Sequence, residues 1–161
     1  MTAATKIATR SERADAAYDH DFYTWTQEQG ARLRAGQLDT LDLENLAEEI
    51  ESLGRSQFDS LVSAWRIVML HLLKFDHQPS RATRSWAISI ATHRSNADYV
   101  LKDSPGLKSR RSEALARAYH GARLEASKET RLPLKRFPET CPYTLDEVLT
   151  RPFAIDPDET P

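Results

Sequence analysis

Cysteine is almost missing from this chain. Of 161 residues only Cys141 carries a thiol, which excludes an internal disulfide and a thiolate-built zinc site and suits a reducing interior. Glycine is scarce too. Five residues leave no phosphate-cradling loop, and a dinucleotide-binding fold is remote. No apolar run approaches the roughly 18 residues of a membrane span; the longest patch, from Ile67 to Leu73, is interrupted by His71 and stops at Lys74. The opening MTAATKIATRSERADAA has basic groups but no apolar stretch of signal-peptide length, so a cytoplasmic protein is expected. A formal net charge of -2 gives no global pull toward nucleic acid or acidic lipid.

What is present is helical periodicity. Hydrophobic content of 40% beside 29% charged residues describes one ordinary globular domain. Residues 1–17 are small, polar and aperiodic, and read as a flexible arm. From Asp19, the residues Tyr18, Phe22, Trp25 and Leu33 share one face at about 100° per residue, and Gly36 is the stop. Asp42 can cap a second helix whose stripe is Leu43, Leu46, Ala47, Ile50 and Leu53, ending at Gly54. Ser56 and Asp59 resemble a capping box that starts a third, central helix running to about Phe75. Its stripe is Phe58, Leu61, Val62, Trp65, Val68, Met69 and Leu72.

A fourth helix is expected from about Ser80 to Leu101, with Trp86, Ile90, His93, Ala97 and Leu101 inward. Ser104-Pro105 starts a fifth running to about Thr130, whose alanine-rich face (Ala114, Ala118, Ala122, Ala126) implies close approach to a neighbour. Six of the eight prolines follow residue 130, so the C-terminal part reads as an irregular strap with one short helix opened by the capping box Thr144 to Glu147. Residues 154–161 read as a disordered tail. The expectation is an all-α bundle of about five helices plus that short one, spanning residues 18–153.

Glu44, Glu48 and Glu51 form an acidic strip along the second helix. Like charges one turn apart repel, so they favour a cation. Arginine is one candidate: Arg81, Arg84, Arg94, Arg110, Arg111, Arg117 and Arg123 lie on later helices. The other is a divalent metal held by Glu44 and Glu48 with His71 or His93. Each histidine falls on an apolar face, where a core imidazole bonded to a carbonyl or carboxylate competes with a ligand or acid-base role. No Glu-x-x-His, His-Glu-x-x-His or Gly-x-Ser-x-Gly occurs. No cofactor is expected. The basic stretch 107–123, with Lys108, Arg110, Arg111, Arg117 and Arg123, could meet phosphates or nucleic acid, or face the acidic helix, or be solvated.

Five stretches carry a resemblance: DFYTWTQEQ after Tyr18, LDLENLAEEIESLGRSQ, HLLKFDHQP, RSW at 84–86 and FPETCPYTLDEVL. On these the chain resembles a bacterial all-helical family catalogued as domain of unknown function 29, over residues 18 to about 153. Phe75 stands where tryptophan is more usual, and keeps an aromatic anchor. The resemblance implies an all-helical protein and brings no established activity, cofactor or catalytic residue. It draws attention to Asp21, Glu44, Asn45, Glu48, His71, Lys74 and Arg84 as a polar network that fixes helix register. The functional expectation is a protein-interaction or regulatory module that binds another protein or itself. The alternative is a metal-dependent, hydrolase-like enzyme using Glu44 and Glu48 with His71.

Overall fold

A computed structural model describes residues 18–155. The expected N-terminal arm, and the expected tail beyond Ile155, lie outside the described residues. Among those described, secondary structure is helical throughout, with no strand. No described helix is long and apolar enough to cross a membrane. The chain divides into two compact units, one up to Gly54 and one from Arg55 onward.

In the first unit, α1 spans Phe22–Arg34. The Asp21 carboxylate accepts from the Thr24 amide at 3.0 Å and so caps its start. Its end is a Schellman turn: Gly36 takes φ 69°, its amide donates to the Leu33 carbonyl, and the Gln37 amide donates to that of Arg32. A 3₁₀ turn at Leu38–Thr40 leads into α2, Leu43–His77. Asp42 caps α2 as expected, accepting from the Asn45 amide at 3.4 Å.

α2 corrects the sequence reading. The expected second and third helices are one helix of 35 residues. Gly54 does not stop it, because a glycine ends a helix only when it turns left-handed, and Gly36 is the one described glycine that does. Ser56 and Asp59 form no capping box. The Ser56 carbonyl accepts from the Ser60 hydroxyl at 2.9 Å, and Asp59 pairs with Arg117 at 3.0 Å.

In the second unit, the C-terminal two thirds of α2 supplies the core. Leu61, Trp65, Val68, Met69, Leu72 and Leu73 are all sealed from solvent, which makes this segment central, as its nearly all-round apolar pattern predicts. α3, Arg84–Asp103, adds Ala87, Ile90, Ala97 and Leu101. It begins four residues later than expected, since Pro79–Arg81 forms a separate 3₁₀ turn. α4, Arg111–Thr130, presents Ala114, Ala118, Ala122 and Ala126 at four-residue spacing, all fully buried. Residues Pro105–Arg110, expected as its first turns, are 3₁₀ instead.

The strap after α4 has a left-handed residue at Arg131 (φ 62°), a 3₁₀ turn at Leu134–Arg136 and the short helix α5, Leu145–Thr150. The Thr144 capping box is fully formed. Phe137, Tyr143 and Val148 seat the strap in the core. Arginines hold its backbone: Arg123 donates to the carbonyls of Phe137 and Leu134, and Arg94 to those at the end of α5.

Candidate functional site

The first unit holds a compact polar knot. Trp25, on the inner face of α1, donates its indole N–H to Asp42 Oδ2 at 3.0 Å. The Asp42 amide donates to Gln29 Oε1 at 3.0 Å, and Asn45 Nδ2 donates to Asp42 Oδ2 at 2.8 Å. Trp25, Gln29 and Asp42 are buried, so these bonds satisfy groups that would each cost about 1–3 kcal/mol if left unpaired. Tyr18 packs edge-on against Trp25 at 4.9 Å and donates to Glu49, whose carboxylate pushes the phenol up to about 12.

Of the expected polar network in this unit, Asn45 joins the knot, Asp21 caps α1, and Glu44 and Glu48 are exposed with no ion pair among the described residues. Several of the arginines weighed as partners for that acidic strip have other partners. Arg110 pairs with Glu113, Arg117 with Asp59, and Arg94 and Arg123 serve carbonyls. The apolar stripe expected to lie inward is corrected. Leu43, Ile50 and Leu53 are 67%, 66% and 70% exposed, and on α1 Phe22 and Leu33 are about half exposed. Periodicity marks a face as apolar without fixing what packs on it.

In the second unit, two of the expected residues meet at Trp86. Lys74 is buried, lies over the Trp86 ring at 4.4 Å and donates to Glu129 Oε2 at 2.6 Å. His71, one turn earlier, sits 6.2 Å from the same ring. Its Nδ1 is buried without a hydrogen-bond partner among the described residues. Burial, and then the Lys74 charge, push the imidazole down to about 4. It is neutral at physiological pH and, with so low a pKa, a poor proton acceptor there. His93, half-buried, donates from Nδ1 to the Ser89 carbonyl at 2.9 Å. Arg84 donates to the Ile155 carbonyl at 2.9 Å. Phe75, Trp86 and Phe153 complete an aromatic wall.

Sequence reasoning missed three polar partners. Tyr143 donates to Asp76 Oδ2 at 2.7 Å, and Arg151 grips both Asp76 oxygens at 2.6 and 3.2 Å. Glu129 was missed as the partner of Lys74. These pairs span 55 to 75 residues, and no local pattern encodes such a separation. Among the described residues, no group of three or more His, Cys, Asp or Glu side chains could hold a metal ion.

Fold and site together define an all-helical protein of two compact units, each locked by its own buried polar contacts. The chain belongs to the family described as domain of unknown function DUF29, whose model matches residues 17–154. No curated protein and no solved structure matches it.

Proposed function

We propose that this protein is a non-catalytic interaction module, and that the hairpin of its first unit docks a basic amphipathic helix of a partner protein. The observation that carries this reading is the apolar strip Leu43, Ile50 and Leu53, each about two-thirds exposed on one side of α2. Monomeric proteins seldom leave several large aliphatic side chains in line without a use. The occupant follows from charge. The strip is flanked by Glu44, Glu48 and Glu51, and residues 18–54 hold nine acids against Arg32 and Arg34. Two such acidic faces repel, whereas a helix with leucines on one side and lysines or arginines beside them complements both features. The low pKa of His71 supports a scaffolding role for the buried polar groups. The single half-buried thiol of Cys141 supports a cytoplasmic address.

The test uses fluorescently labelled helical peptides of leucine and lysine, with leucine–glutamate peptides as the control. Anisotropy should show saturable binding of the basic peptide alone, and Ile50→Ser with Leu53→Ser should abolish it. Equal binding by the wild type and the double variant would overturn the proposal. So would a concentration-dependent dimer, seen by light scattering and removed by the same substitutions, because the strip would then be covered by a second copy.

A further inference from the structure

At the far end of α2, on the second unit, a cavity of about 490 Å³ is lined by His77, Leu132, Pro133, Lys135 and Arg136. Its size falls within the range of small-molecule sites, about 300–1,000 Å³. Its lining combines two apolar residues, half-buried Leu132 and exposed Pro133, with two permanent cations and an imidazole.

Lys135 and Arg136 have no ion pair among the described residues. The acids that precede this wall in the chain are already engaged: Asp76 is gripped by Arg151 and Tyr143, and Glu129 by Lys74. In the basic stretch 107–123, Arg110 pairs with Glu113 and Arg117 with Asp59.

Four backbone carbonyls beside it each accept a hydrogen bond from the protein itself. The Thr130 carbonyl accepts from Gln78 Nε2 at 3.0 Å, that of Leu132 from the Ser127 hydroxyl at 2.8 Å, that of Pro133 from the Arg136 amide at 2.8 Å, and that of Leu134 from the Phe137 amide at 3.1 Å. A wall whose side chains include a lysine and an arginine and no carboxylate favours an anion over a cation. The same bonds hold the loop in one shape before any ligand arrives, which lowers the ordering cost of binding. His77, packed edge-on to Phe137 at 4.7 Å, is held in place too.

We propose that this cavity binds a soluble phosphate monoester, with the phosphate on Lys135, Arg136 and His77 and the organic part over Leu132 and Pro133. Arginine and lysine together suit a phosphate, as fork and point charge.

The experiment is calorimetric titration of the full chain, in phosphate-free buffer, with inorganic phosphate, adenosine monophosphate and phosphatidylcholine vesicles containing phosphatidic acid. One-to-one binding of the nucleotide, tighter than inorganic phosphate, is expected. Lys135→Met with Arg136→Met should weaken it by about tenfold or more, as losing two charge-assisted contacts implies. Both side chains are exposed, so an unchanged circular dichroism melt shows that the variant is folded. A second variant, Leu132→Trp, fills the cavity while keeping every charge, and should also abolish nucleotide binding. Binding that survives either variant, that appears only on vesicles, or that is absent altogether would overturn the proposal.

Discussion

The guanidinium of Arg94, on α3, closes the carboxyl end of α5: its Nε lies 2.7 Å from the Val148 carbonyl oxygen. Nη1 reaches the carbonyl of Arg151 at 2.8 Å and Nη2 that of Glu147 at 3.1 Å. A helix of six residues is too short to persist on its own propensity. Arg94 supplies both the donors its last turn lacks and the charge its dipole favours. Arg94→Met, which keeps the stem, is expected to cost about 2–3 kcal/mol. A urea titration measures the loss, and limited proteolysis should show earlier cleavage within the strap.

Asp76 makes the strap's attachment sensitive to acid. Burial pushes its carboxyl up, but the bonds from Arg151 and Tyr143 outweigh that and hold it below the ordinary value. A depressed carboxylate contributes stability that is fully present above its unfolded value, about pH 4, and is lost as pH falls through the folded value. Asp76→Asn should cost about 1–2 kcal/mol at neutral pH. Urea midpoints of the two proteins, compared down a pH series, should converge below about pH 4.

His71 acts in the same direction through a different group. Its folded value of about 4 lies below the unfolded value, so the unfolded chain binds more protons across the interval. Stability therefore falls as pH drops from about 6.5 to 4. His71→Phe keeps a ring beside Trp86, removes the unpartnered Nδ1 and removes the proton uptake. The variant should be at least as stable as the parent at pH 7 and more stable by on the order of 1–2 kcal/mol at pH 5. Proton NMR of the parent should find the His71 ring neutral at that pH.

Two helical glycines predict opposite outcomes. A methyl group on Gly54 meets nothing within 4 Å, whereas one on Gly121 falls 2.8 Å from Arg66 Cδ. Gly54→Ala should stabilise α2 by about 0.5–1 kcal/mol. Gly121→Ala should gain nothing, since Arg66 must leave its bond to Glu125. In an Arg66→Ala background the same change should regain the full propensity term, a coupling that a double-mutant cycle reads directly.

These residues also show what the sequence could and could not reveal. The caps at Asp42 and Thr144, the left-handed stop at Gly36 and the alanine face of α4 were legible because each depends on neighbours within a turn or two. Gly54 was misread because composition does not report φ: the same residue type permits a stop or continues a helix at a modest cost. Leu43, Ile50 and Leu53 were misread because periodicity identifies a face that needs cover without saying what covers it. Arg94 and Arg123 were weighed as partners for the acidic strip, although their targets are backbone carbonyls in the strap, which no side-chain pattern marks.

Cys141 gives the strap one further property. Its sulfur lies 3.8 Å from Met69 Sδ and 3.5 Å from the Tyr143 carbonyl oxygen, and burial pushes the thiol up. With no second cysteine in the chain, any alkylating dye must report on this one sulfur, and it reacts as the thiolate. Labelling speed therefore reads how open this half-buried sulfur is to solvent, in the native protein and without any added probe site.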